Sequence, residues 1–384
     1  MRMRKILVYI LLLAFIASLV GCSQATPPPI TQNTQVTVAE QTPEVMEPEQ
    51  SSERTVTDLL GRTVTIPYNV ESTVAIGVGA LRLYVYAGPL DMLVGVEQVE
   101  HDAAVGRPYT VINAELFASL PVIGLGGPNN AADPERLLNA APDVIFTTYS
   151  TEASDADQLQ QSIGIPVIAL SYGSSFWDEE VRRSLELIGE VMGSVEKAQA
   201  ASDFIASSFE DLQNRTRDIQ DRPSVYVGAL GFRGAQGIES TQGRFAPFVA
   251  LNAINVADET GQAGPFMIDK EMLIEWAPDF IFLDLNNLNL VLEDYRTNPA
   301  FYHSLAAVQN DTVYGILPYN FLTTNIDTAI AVTYFIGTII YPEAFADIDP
   351  VQKADEIYRA LLGQEFYQQM VADFGGFRRI AIGN

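Results

Sequence analysis

The chain has 384 residues, 48% of them hydrophobic, and a formal net charge of −26. That length predicts about two domains rather than one, each able to bury its own core. The acidity repels phosphate backbones and excludes nucleic acid as a natural partner. The single cysteine, Cys22, excludes an internal disulfide and any multi-cysteine metal or iron–sulfur site.

Residues 1–22 carry Arg2, Arg4 and Lys5, then an apolar run from Ile6 to Val20. A basic start and a short apolar core predict an export signal, since a comfortable membrane span needs ~20 apolar residues. The segment ends Leu19-Val20-Gly21-Cys22, which resembles the bacterial lipoprotein signal and predicts acylation of Cys22. Residues 23–53 hold Pro27, Pro28, Pro29, Pro43 and Pro48 among Thr, Gln and Glu, and predict a disordered tether. The expected division continues with a first α/β lobe at 54–177, a linking helix at 178–221 and a second α/β lobe at 222–384.

In the first lobe, Arg62 to Ile66 alternates like a strand, and Thr73 to Ile76 is an apolar, strand-like run. Gly77-Val78-Gly79 then precedes a predicted helix from Ala80 to Tyr86, ended by Gly88-Pro89, with a short strand at Leu93 to Val96. The most informative feature is an internal echo. Asp133-Pro-Glu135-Arg-Leu137 runs on to Ala-Pro-Asp143-Val-Ile-Phe146, and Asp269-Lys-Glu271-Met-Leu273 runs on to Ala-Pro-Asp279-Phe-Ile-Phe282. Each copy predicts an acid-started helix, a proline stop and a buried strand, so the chain contains two lobes of like construction. Between them, Val181, Leu185, Ile188, Met192 and Val195 keep helical spacing, continued by Ala198, Phe204, Ile205 and Phe209. This predicts one long helix or two abutting helices, with Gly189 and Gly193 loosening the join. Further helices are expected over Thr328 to Ile340, Pro350 to Leu362 and Gln364 to Asp373; the first is apolar but short, and reads as buried.

A lipoprotein signal, a tether and two α/β lobes joined by a long helix resemble the helical-backbone solute-binding proteins of ABC importers. The resemblance is carried by the Thr57-Asp58-Leu-Leu-Gly61-Arg62-Thr-Val-Thr-Ile66-Pro67 start and by the two Asp-x-Glu…Ala-Pro-Asp segments. It implies two Rossmann-like lobes with a ligand cleft between them. It also implies an extracytoplasmic, lipid-anchored monomer that delivers its solute to a permease and its ATPase subunit. The solute it implies is an iron chelate such as a siderophore or haem, a corrinoid, or, in one branch, molybdate or tungstate. No catalytic cofactor or resident metal is expected. Glu135 and Glu271 match the positions at which the family docks to permease arginines, and exposed carboxylates suit that pairing.

Ligands of open α/β sheets sit beyond the carboxyl ends of strands, which nominates the loops there. In the first lobe these hold Gly77, Val78, Gly79 and Ala80, whose amides suit an oxyanion, then Arg107 and Tyr109, and then Tyr149 and Ser150. In the second they hold Gly231, Phe232, Arg233 and Gly234, then Asp284, Asn286 and Asn287, then Tyr319 and Asn320. Arg107 and Arg233 are the expected anion clamps, taken as unpaired arginines beside a cleft. Phe176, Trp177 and the named tyrosines suit the wall of a chelate. His101 is a possible ligand to metal or haem, but a lone loop histidine is more often a surface residue. An enzyme finds little support: Gly-x-Ser-x-Gly, His-Glu-x-x-His and Walker patterns are missing, and position 82, where a dinucleotide fingerprint needs glycine, is Arg. A surface sensor on the same scaffold is the remaining alternative.

Overall fold

The computed structural model describes residues 52–102, 104–231 and 234–383. Cys22, the signal and most of the tether lie outside these residues, as do Phe232 and Arg233.

The folded body opens with a hairpin, β1 (Glu53–Thr57) pairing antiparallel with β2 (Thr63–Pro67). Its turn explains the Asp58…Gly61-Arg62 motif. Asp58 is fully buried and accepts from the amides of Leu60 and Arg62 and from the Arg62 guanidinium at 2.8–3.1 Å. It also accepts from the amide of Ala169, and Arg62 donates to the carbonyl of Val167, so the turn is riveted to a strand of the first lobe. Gly61 supplies the positive φ of 75° that the turn requires.

The first lobe is a parallel sheet of β3 (Thr73–Ile76), β4 (Val144–Thr147) and β5 (Val167–Ala169), in the order β3-β4-β5. Every residue in these strands is buried, as expected of a sheet covered on both faces. The strand expected at Leu93 to Val96 is reduced to single bridges, Leu93 to Thr73 and Val96 to Val122. The second lobe comprises β6 (Ser224–Gly228), β7 (Ser240–Gly243), β8 (Ile254–Asn255), β9 (Gly264–Met267), β10 (Phe280–Asp284), β11 (Val313–Ile316) and β12 (Arg378–Arg379). Five of these make a sheet of order β12-β11-β10-β6-β8, parallel except at β12, and β7 pairs antiparallel with β9. The two lobes therefore keep separate sheets, and β3-β4-β5 matches β6-β10-β11 strand for strand.

The sequence echo has a common mechanical basis. Helices Pro134–Ala140 and Lys270–Trp276 bury Leu137 and Leu273 and end on an alanine with positive φ, 46° at Ala141 and 42° at Ala277. Proline then stops each helix, and an aspartate locks the next strand to its neighbour. Asp143 accepts from the amides of Glu71 and Ser72 at 2.8 and 2.9 Å and donates its own amide to Ser72. Asp279 accepts from the amide and hydroxyl of Ser224 at 2.8 and 2.7 Å and donates back to it in the same way. The same clasp thus sets the strand start in both halves.

The link departs from a single rod. Helix Glu179–Met192 ends at Gly193 (φ 70°), and helix Val195–Thr216 folds back against it. Gly189 does not loosen this pair: a Cβ there would collide with Ala198, so the glycine permits the close helix contact. Only the second helix joins the lobes. Near its start, Ser194 and Lys197 bond the carbonyls of Ala87, Val85 and Gly88 in the first lobe at 2.7–2.9 Å. Toward its end, Gln213 bonds the Ala250 carbonyl and Arg215 bonds Asp347 in the second lobe. Helix Ile326–Ile340 is buried along nearly its whole length, as its composition predicts, and helices Pro350–Leu362 and Tyr367–Phe374 follow. Among the described residues no helix is long and apolar enough to cross a membrane.

Removing either clasp strips a carboxylate from two donors. Asp143→Ala and Asp279→Ala are each expected to cost about 1–3 kcal/mol, read as a lowered urea midpoint with an unchanged slope.

Candidate functional site

The first lobe's polar candidates are engaged by the lobe's own acids. Gly77 donates its amide to Glu97 Oε2 at 2.9 Å, and the Tyr149 hydroxyl donates to Glu97 Oε1 at 2.7 Å. Burial raises the Glu97 carboxyl above its ordinary range. Arg107, expected as an unpaired clamp, is buried, donating to Glu100 Oε2 at 2.9 Å and to the Asp102 carbonyl at 3.0 Å. Tyr109 is fully buried and donates to the same Glu100 oxygen at 2.6 Å. The ground for assigning Arg107 to a solute is therefore removed, because the chain supplies its counterion. His101 lies partly exposed, its Nδ1 3.7 Å from Asp102.

The space over the Gly77–Gly79 turn is taken by Thr148 and Tyr172 of the first lobe and Thr323 of the second. A Cβ at Gly79 would stand 2.5 Å from the Thr323 methyl and 2.8 Å from the Tyr172 ring, and one at Gly106 would collide with Phe321. Val78 is half-buried, and its carbonyl accepts from Thr148 Oγ1 at 3.0 Å. The anchor of this contact is Arg82, fully buried on helix Ala80–Ala87. Its Nε donates to Asn325 Oδ1 at 3.0 Å. Its Nη1 donates to the Tyr172 hydroxyl and to the carbonyls of Leu322 and Thr324 at 3.0–3.1 Å. Its Nη2 reaches the Phe321 carbonyl at 2.7 Å, and the guanidinium lies 4.7 Å from the centre of the Tyr109 ring. Nearby, the buried Asp327 accepts from the Tyr86 hydroxyl at 2.7 Å.

On the second lobe, Tyr319 is buried between Phe176 and Phe245, with ring centroids 6.2 Å away on either side. Asn287 bonds the Ala229 carbonyl at 2.7 Å, while the Asn286 amide donates to Asp284 Oδ1 at 2.9 Å. Asp284 closes β10 in a buried position, and desolvation raises its carboxyl to about 7.

The open space lies on the flank of the lobe contact. A groove of about 580 Å³ runs between the segment after β5 and the second lobe. It is lined by Ser174, Trp177, Asp178, Glu179, Phe209 and Arg244, among others. Trp177 stacks on Phe209 of the linking helix at 5.2 Å and donates its indole N–H to the Ala246 carbonyl at 3.3 Å. Arg244 is exposed with a positive φ of 52°, held by its amide's 2.6 Å bond to Asp258. Its guanidinium makes no ion pair among the described residues. Sequence reasoning passed over Arg244 because it follows β7, an antiparallel strand that a rule about parallel strand ends does not reach. The turn of Gly243-Arg244 between β7 and a Pro-containing helix was its one local signal. Glu135 and Glu271 both lie exposed on their matched helices.

Two separate sheets that share a three-strand parallel core, β3-β4-β5 in one and β6-β10-β11 in the other, are bridged by a helix. The model of the family described as periplasmic binding protein matches residues 84–319, and the chain belongs to that family. It is a solute-binding protein of the kind that serves ABC importers. Among curated proteins it is similar to the molybdate-binding protein MolA of Haemophilus influenzae, at 24% identity over 83% of this chain and 92% of the relative. Among solved structures it matches a periplasmic solute-binding protein from Veillonella parvula with a TM-score of 0.66 and 16% identity, covering 84% of this chain and 96% of that one. It matches MolA bound to molybdate with a TM-score of 0.62 and 20% identity, covering 81% and 98%. These structural likenesses establish the fold.

Two outcomes follow from the buried charges. The folded state keeps a proton on Asp284 that the unfolded chain releases near its ordinary pKa. Stability is therefore expected to fall as pH rises from about 4 to about 7, by at most roughly 4 kcal/mol. Urea unfolding at pH 4 and 8 should show this loss in the wild type and much less of it in Asp284→Asn. Arg82→Met strands several buried acceptors and is expected to cost about 3 kcal/mol or more, measured the same way.

Proposed function

We propose that the chain captures an anionic solute outside the cytoplasm and hands it to an ABC permease driven by its ATPase subunit. In this reading it acts as a monomer, is tethered by lipid on Cys22, and turns nothing over. The observation that carries the solute class is Arg244, an exposed guanidinium with no ion pair among the described residues, on a groove of about 580 Å³ lined also by Trp177, Phe209, Asp178 and Glu179. That volume falls in the range of ligand pockets, roughly 300–1,000 Å³. A cation beside aromatic faces suits an anionic chelate with a flat organic body, such as an iron–siderophore complex or haem, or a corrinoid bearing an anionic group. Ser174, whose hydroxyl donates to Asp178 at 2.9 Å, and Ser175, whose hydroxyl accepts from the Trp177 amide, also line the groove.

Molybdate or tungstate is the second reading. The similarity to MolA over 92% of that protein favours it, and so does the second-lobe loop over Gly79, which fills the space a macrocycle would need there.

Calorimetric titration with a ferric catecholate siderophore, haemin, cyanocobalamin and sodium molybdate separates the two. Chelate binding, weakened at least tenfold in Arg244→Ala, is the expected result. Molybdate binding with indifference to the chelates would select the second reading, and indifference to all four would remove both. Because the lobes already touch through Arg82, ligand is expected to produce only a small contraction in X-ray scattering; a large one would contradict this view of the hinge.

A further inference from the structure

Nine large hydrophobic residues are exposed on the described surface, and they are not scattered evenly. Leu138 is 50% exposed and Ile274 is 41% exposed. They occupy the same place in the two copies of the internal repeat, each three residues after an exposed glutamate, Glu135 or Glu271. Residues three apart share a helix face, so each helix presents a carboxylate and an aliphatic side chain together. Packing does not require this, because the adjacent Leu137 and Leu273 already fill the core beneath each helix. Met267, another of the nine, ends β9 two positions before Asp269.

We infer that Leu138 and Ile274 are a matched pair of apolar anchors that seat this protein on a membrane permease offering two like sites. Each site is an aliphatic socket beside a guanidinium. The inference rests on the importer reading above. The repeat supplies the argument for two like sites, since one chemistry is displayed twice by the same local structure. Charge supplies the argument for the partner's sign: a chain of net charge −26 presenting glutamates repels a second copy of itself and needs a basic surface. An exposed carboxylate alone gives a screened, weak contact, whereas an aliphatic group beside it excludes water and strengthens the pair. The glutamates then steer encounter, and the aliphatic anchors slow departure.

The test uses the full lipoprotein and its importer, purified from the producing cells and placed in nanodiscs, with binding kinetics read by surface plasmon resonance. Leu138→Ser and Ile274→Ser are each expected to speed dissociation about five- to tenfold, and the double variant by roughly the product, with little dependence on salt. Leu138→Met with Ile274→Met should retain binding. Glu135→Lys with Glu271→Lys should instead slow association in a salt-dependent way. Unchanged thermal midpoints confirm that the variants fold. If the double serine variant dissociates as the wild type does while the lysine variant fails to associate, the anchors are refuted and the importer reading stands. A response from only one of the two serine variants refutes the matched pair. If every variant binds the importer as the wild type does, the anchors are refuted; if the wild type does not bind the importer at all, the importer reading itself falls.

Discussion

The arrangement of the two halves depends on one buried cation. Arg82 rises from the first helix of the first lobe, and its guanidinium takes most of its partners from Phe321, Leu322, Thr324 and Asn325 of the second. No carboxylate touches it; carbonyls, an amide oxygen and a phenol satisfy its donors, and the Tyr109 ring lies 4.7 Å from it. A buried charge is tolerable only when its hydrogen bonds are complete, so the geometry has little slack. That demand explains the loop opposite. Leu322 and Thr323 hold positive φ angles of 49° and 63°, which side chains of their kind rarely adopt, and they do so where their carbonyls or neighbours meet Arg82. It also explains two glycines, Gly79 and Gly106, which leave room for Thr323 and Phe321.

This contact reorganises where a solute can be held. Amides and cations at the strand ends of an α/β lobe normally await an anion, and here Glu97 and Glu100 supply it from within the chain. They hold Gly77, Tyr149, Arg107 and Tyr109 as parts of the lobe. In the proposed reading the cation available to a solute is instead Arg244, exposed on the groove that the linking helix also lines through Phe209. The scaffold is thus common to its family.

The scaffold was legible because its determinants are local. Helix, proline stop, aspartate and buried strand follow one another within about a dozen residues, and the repetition of that string reveals two lobes before any contact is known. The site was less legible because its determinants are distant. Nothing near Arg107 in sequence marks Glu100 as buried rather than solvated, and Arg82 finds its acceptors some 240 residues away. Position 82 was noticed only as the wrong residue for a dinucleotide fingerprint. The linking segment shows the same limit in smaller form: periodicity marked its helices, but the fold-back at Gly193 and the contact of Gly189 with Ala198 depend on a neighbour the pattern does not display.

The second sheet also limits strand addition at both of its edges. Its two boundaries are the places where another strand would add. At one, β8 is only two residues long. At the other, the last strand runs against the direction of the rest and consists of Arg378 and Arg379, with Arg379 reaching 3.9 Å from Asp311. A border made of two arginines gives an incoming backbone few free groups and an unfavourable crowd of charge. This short antiparallel strand therefore acts as a hem, closing that side of the sheet to a further strand.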